Sequence, residues 1–137
     1  LVDYFDNNKI INQKPTFYFV HHNSPHWPYV TNSDCSYKFS PGEKNYQGYK
    51  SAYLCDLKRI RNLINYLENF DPDAFVIIQS DHNWKLSKNH EQDKKKIFNL
   101  VKLNDCKMSD NINYHNVNTM RLLLACITGN KPKYLNY

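Results

Sequence analysis

No stretch of this 137-residue chain approaches the ~20 consecutive apolar residues of a membrane-spanning helix, and its longest apolar runs are strand-sized. A membrane span within it is therefore not expected. The four cysteines, at positions 35, 55, 106 and 126, form no C-x-x-C pair, which argues against a zinc ribbon or a thioredoxin-type motif. There is no recognisable RNA- or DNA-binding motif. The net charge of +5 is modest and scattered, with Lys94-Lys95-Lys96 as the tight basic run, which reads as a solvated face. No nucleic-acid partner is expected, although a basic surface attracts phosphorylated or sulfated ligands in general. Internal repeats are absent. The start, Leu1-Val2-Asp3-Tyr4, has neither the basic region nor the apolar core of a secretory leader, and it lacks a Met. It reads as a piece of something longer.

What is there is globular: 41% hydrophobic, 15% aromatic and 23% charged residues, on a length that suits one domain with a real core. Residues 1–14 are polar, Asn-rich and aperiodic, and read as a lead-in or linker. Thr16-Phe17-Tyr18-Phe19-Val20 reads as a strand buried on both faces. A loop rich in imidazole and aromatic rings follows, His21 to Tyr29, then a polar, turn-forming stretch over 30–45 punctuated by Pro41-Gly42. Tyr49, Tyr53, Leu57, Ile60, Ile64 and Leu67 recur at spacings of three and four, predicting a long helix from Tyr46 to Phe70 that Asp71-Pro72-Asp73 ends. Ala74-Phe75-Val76-Ile77-Ile78 is a second unbroken apolar run, as in a strand covered on both faces. Strand, long helix and strand together predict a βαβ unit in a parallel α/β sheet. Residues 84–96 read as a lysine-rich loop, 97–103 as a strand, and Val117 to Ile127 as a helix with Met120, Leu123, Leu124 and Ile127 on one face, closed by Gly129. Cys55 and Cys126 fall in apolar helical patterns and read as core residues. Cys35 and Cys106 stand in polar contexts where they could pair, so the redox compartment stays open.

The chemistry concentrates at two points. Ser80-Asp81-His82 stands at the carboxyl end of the strand over 74–78, where open α/β sheets bind ligands. A carboxylate oxygen and an imidazole nitrogen side by side suit a divalent ion. The neighbouring Asn83 suits a sharp, left-handed turn. The plain alternative is that Asp81 caps a turn and His82 is merely exposed. The second cluster, His21, His22 and His26, follows the other strand of the βαβ unit, and a parallel sheet would bring both clusters to one edge. His26, between Pro25 and Pro28, could bind an ester oxygen or protonate a leaving group; otherwise the loop packs Trp27 and its histidines are incidental.

Four elements in order carry a resemblance: Ser24-Pro25-His26-Trp27-Pro28-Tyr29, Val76-Ile77-Ile78-Gln79-Ser80-Asp81-His82, Phe98-Asn99-Leu100-Val101-Lys102-Leu103, and Val117-Asn118-Thr119-Met120-Arg121. Over roughly residues 15–135 the chain resembles the later half of the sulfatase-like branch of the alkaline phosphatase superfamily, with its Pro-His-x-Pro-Tyr loop, Ser-Asp-His-Gly element and Asn-Thr-Phe-Arg helix. That branch holds sulfatases, phosphoethanolamine transferases and phosphoglycerol transferases. The resemblance implies an alkaline-phosphatase-like sandwich, a largely parallel sheet flanked by helices, with residues 15–137 as its carboxy-terminal part. It implies a divalent metal (zinc, manganese or calcium) held by Asp81 and His82, His26 as a catalytic group, and His22 and His90 on the substrate side.

The implied reaction is metal-dependent hydrolysis or transfer of a phosphate or sulfate ester on a small molecule, lipid or glycan. An extracytoplasmic setting goes with the resemblance. Two departures stand out. Asn83 occupies the position of the motif's glycine, and residues 1–15 offer neither the family's nucleophile nor its first acidic metal ligand. An upstream part of the same protein would have to supply them, so this chain alone is not expected to turn over. The rival reading is a non-catalytic or degenerate module that binds an anionic glycan or other polyanion.

Overall fold

The computed structural model describes residues 2–3, 15–85, 96–104, 106 and 115–136. Its elements are β1 (Tyr29–Thr31), β2 (Tyr37–Gly42), α1 (Tyr46–Phe70), β3 (Val76–Gln79), β4 (Asn99–Lys102) and α2 (Asn116–Thr128). The chain divides into two compact units, Leu1–Phe70 and Asp71–Tyr137.

In the first unit β1 and β2 form an antiparallel hairpin. The 30–45 stretch is thus not wholly turn, as its polar composition implied. Asn32 to Ser36 makes the turn: Asp34 accepts from both the backbone N–H and the hydroxyl of Ser36, and Cys35 takes a left-handed φ of 72°. Those hydrogen bonds, the Ser36 hydroxyl first and its N–H second, hold the Asp34 carboxyl below its ordinary range. α1 has the expected bounds, but its fully buried stripe is Gly48, Ala52, Cys55 and Asp56, one position off the tyrosines. Small residues lie at the centre because Tyr29 enters edge-on against Tyr49, 6.3 Å between ring centroids, while Tyr49 stacks on Tyr53. A Cβ at Gly48 would stand 2.6 Å from the Tyr29 ring and 2.5 Å from the Glu43 carbonyl oxygen, so only glycine fits there. Burial, and then the neighbouring tyrosines, push the Tyr49 hydroxyl pKa up.

A disulfide between Cys35 and Cys55 ties the hairpin turn to α1. The second disulfide joins Cys106 to Cys126, so all four cysteines are paired. This corrects the suggested Cys35–Cys106 pairing and the reading of Cys55 and Cys126 as ordinary core thiols. A half-cystine inside a helix shows the same apolar surroundings as a packed thiol, so periodicity could not tell them apart.

The expected strand over 16–20 does not form. Residues 15–23 hold no regular structure, and Phe17 and Phe19 are 71% and 82% exposed. An apolar run declares a preference for a strand, but the strand exists only with a ladder partner. The parallel βαβ unit is accordingly not found among the described residues.

In the second unit β3 pairs with β4 antiparallel, in the register Val76↔Lys102 through Gln79↔Asn99. Lys102 Nζ and the Asn104 side-chain amide donate to the Pro72 and Asp73 carbonyls, closing the far end of the ladder. α2 presents Asn118, Thr119, Leu122, Leu123 and Ala125 to the interior. Met120, Leu124 and Ile127, expected on the buried face, are exposed. Gly129 ends the helix at φ 67°, as expected: its N–H bonds the Cys126 carbonyl, and the Asn130 N–H bonds that of Ala125.

Candidate active site

β3 delivers the Ser80-Asp81-His82 turn. Ser80 extends the ladder by one bridge: its N–H donates to the Phe98 carbonyl and its Oγ accepts from the Phe98 N–H, both at 3.0 Å. The hydroxyl is committed to holding the turn. Behind it, Thr119 of α2 is 1% exposed, and its Oγ1 accepts from the side-chain amides of Gln79 (3.3 Å) and Asn99 (3.2 Å). The same hydroxyl donates to the His115 carbonyl. One buried threonine thus joins the ends of both strands to the helix beneath the turn.

Beyond Ser80 the chain turns, and the next two side chains converge. His82 Nε2 lies 3.6 Å from Asp81 Oδ2, with the carboxylate exposed and the imidazole half-buried. His82 Nδ1 sits 2.5 Å from the Asn83 carbonyl oxygen, which can only accept, so Nδ1 carries the proton. In the neutral ring the lone pair is then on Nε2, beside the carboxylate. Asn83 does not take the left-handed conformation expected of it; among the described non-glycine residues Cys35 and Asn104 do. Its contribution is the carbonyl that orients His82.

In the first unit the histidine loop is exposed at His21, His22 and His26. His26 Nδ1 donates to the Trp27 carbonyl at 2.6 Å, which leaves Nε2 as the outward nitrogen, the same arrangement as in His82. Trp27 carries the Lys44 ammonium 5.7 Å above its ring. Sequence reasoning missed Asp56, a buried α1 carboxylate. It accepts from Ser24 Oγ at 2.5 Å and pairs with His22 Nε2 at 3.5 Å and Arg59 Nη1 at 3.4 Å. Its signal was available, as an acidic residue inside an otherwise apolar helical stripe. His90 lies outside the described residues.

Two open clefts lie elsewhere in the first unit. An open cleft of about 440 Å³ is lined by Lys38, Glu43, Asn45, Lys50 and Leu54, and another of about 410 Å³ by Leu54, Lys58 and Arg61. Neither includes a residue singled out for chemistry.

Does the Asp81–His82 pair suit a divalent metal? Two donors each about 2.0–2.2 Å from a shared tetrahedral ion stand about 3.3–3.6 Å apart. The observed 3.6 Å separation fits. So does the hydrogen bond at the other ring nitrogen, the usual companion of a metal-bound imidazole. Among the described residues no three His, Cys, Asp or Glu side chains gather as a complete site would require. The pair fits as part of a ligand set.

The sulfatase family model matches residues 1–100, most of the chain, and the chain belongs to that family. Its fold is therefore of the alkaline-phosphatase-like α/β type, and its membership points to an enzyme acting on sulfate or phosphate esters. No curated protein and no solved structure matches.

Proposed function

We propose that this chain contributes a metal-ligand pair, Asp81 and His82, and an ester-facing histidine loop, His22 and His26, to hydrolysis or transfer of a phosphate or sulfate ester. The observation that carries this reading is the His82 imidazole, protonated at Nδ1 by its bond to the Asn83 carbonyl, with Nε2 3.6 Å from Asp81 Oδ2. A divalent ion bound there would supply Lewis-acid stabilisation of charge developing on the ester oxygens. Asp81 and His82 hold and orient it; Ser80 and Thr119 keep their turn in register. His26 is read as the group that meets the ester or its leaving oxygen through Nε2, with His22 on the substrate side and His90 assigned there by resemblance. The nucleophile and the remaining ligands are assigned to an upstream part of the protein. Substrates would be phosphorylated or sulfated small molecules, lipids or glycans. Two disulfides favour an oxidising, extracytoplasmic setting.

Calorimetric zinc and manganese titrations of the chain, of Asp81→Ala and of His82→Ala test the ligand assignment. Both substitutions are expected to weaken binding, and equal affinity in all three proteins refutes it. A second reading has an observation of its own. The adjoining clefts carry Lys38, Lys50, Lys58 and Arg61, cations suited to a polyanion, with Glu43 as a counter-charge. A non-catalytic glycan-binding module would show steep salt dependence and no metal requirement.

A further inference from the structure

The motifs that resemble the family leave Asp56 without a role, yet it is the buried carboxylate closest in bonding to the histidine loop. Only 5% of it is exposed, and two of its three partners, Ser24 and His22, belong to that loop. A carboxylate withdrawn from water is costly unless hydrogen-bonded and paired. Asp56 meets that requirement with a short bond from Ser24 and with cationic or proton-bearing groups on His22 and Arg59. The adjacent Cys55 is cross-linked to Cys35, so Asp56 sits on a turn of α1 that is itself covalently anchored.

We propose that Asp56 is a positioning residue for the histidine loop. Through Ser24 it sets the path of the chain two residues before His26. Through His22 it selects the ring nitrogen turned away from the ester. Unlike His82, whose Nδ1 proton is claimed by a carbonyl, His22 has the Asp56 carboxylate 3.5 Å from Nε2 as its nearby acceptor, so Nε2 takes the proton and Nδ1 is left for the ligand side. His26 is set the opposite way, with Nδ1 on the Trp27 carbonyl and Nε2 outward. The loop would thus offer one imidazole through each of its two kinds of nitrogen. Held this way, the rings need no ordering when an anion binds, which is the value of preorganisation. The proposal rests on the reading that His22 and His26 face the ester.

The test uses the full chain with nitrogen-15-labelled histidine, comparing wild type with Asp56→Asn, Asp56→Glu and Ser24→Ala. Ring spectra give the tautomer of each histidine, and a titration with inorganic sulfate gives affinity. Wild type is expected to show His22 fixed as the Nε2–H form. Asp56→Asn should convert it to a solvent-like mixture, with Asp56→Glu restoring the signature in part and the amides of Asn118 and Leu135 unmoved. Sulfate affinity should fall about tenfold in Asp56→Asn and Ser24→Ala, the size of effect typical of groups that orient a ligating side chain. The sign is informative, because deleting a negative charge without disturbing the loop would tighten anion binding. An unchanged His22 signature, or tighter sulfate binding in Asp56→Asn, overturns the proposal. If Asp56→Asn does not fold, Ser24→Ala decides by the same sulfate measurement, since it spares the Asp56–Arg59 pair. A His22 tautomer that depends on Asp56 in a protein indifferent to sulfate supports the orienting role and overturns the ester reading.

Discussion

The histidine loop and the Ser80-Asp81-His82 turn both expose imidazoles to solvent, and they are held in contrasting ways. The turn is secured by its immediate surroundings: a ladder bridge from Ser80 to Phe98, a threonine beneath, and a carbonyl one residue on. The loop has no ladder. Ser24 reaches Asp56, 32 residues away, and the helix that carries Asp56 is cross-linked to the hairpin by Cys35–Cys55. A site built on a strand end inherits precision from the sheet. A site built on a loop needs a remote anchor, and here that anchor is a buried charge beside a disulfide.

Breaking the covalent anchor should have the largest effect. Replacing Cys35 and Cys55 together by serine opens a loop of 20 residues and is expected to cost about 3 kcal/mol, read from urea unfolding followed at α1. Next comes the turn itself. Asp81→Ala or His82→Ala is expected to weaken zinc binding by roughly a hundredfold, about 2.7 kcal/mol, with the unfolding midpoint little changed. Gly48→Ala separates loop anchoring from helix packing. The added methyl collides with Tyr29 and a carbonyl, for a loss of about 2 kcal/mol in thermal unfolding. Ser80→Ala removes one hydrogen bond from the turn and should cost about 1 kcal/mol, with a smaller loss of zinc affinity than either ligand substitution.

The smallest effect lies in the hairpin turn. The Asp34 carboxyl is depressed in the folded protein, so its stabilisation is present above the ordinary carboxylate range and is lost as pH falls through the folded value. Ser36→Ala should return the Asp34 midpoint, followed by carboxyl-carbon NMR, toward its ordinary value.

What could be read in the sequence follows from how far each signal reaches along the chain. α1 was legible to both ends because its tyrosines, leucines and isoleucines repeat at spacings of three and four from Tyr49 to Leu67 and Asp71-Pro72 stops them. The exit of α2 was legible because Gly129 serves a local backbone need. Asp81 and His82 were legible as neighbours whose donor types suit one ion, and the structure draws them together. Residues 16–20 misled because apolar β-formers state a preference that pairing must complete. The hairpin over 29–42 was passed over although Tyr37-Lys38-Phe39-Ser40 alternates, because its turn is made from Asp34, Cys35 and Ser36 rather than from a two-residue glycine signal. Asp56 was missed, although it is an acidic residue inside the buried stripe, because Ser24 and His22 are distant from it in the chain, and the disulfides because half-cystines resemble packed thiols.

Asn118 shows what hydropathy overlooks. Fully buried in α2, it donates through Nδ2 to the Leu135 carbonyl and accepts at Oδ1 from the Leu135 N–H. The side-chain amide thus behaves as a peptide group, offering the tail one rung of a β-ladder from the flank of a helix. That imitation is demanding. Aspartate has the shape but, when ionised, no donor; leucine has the volume but neither group. Position 118 is therefore written in the grammar of the backbone, and it holds the tail at Leu135 while Arg121 Nη1 holds it at the Lys133 carbonyl.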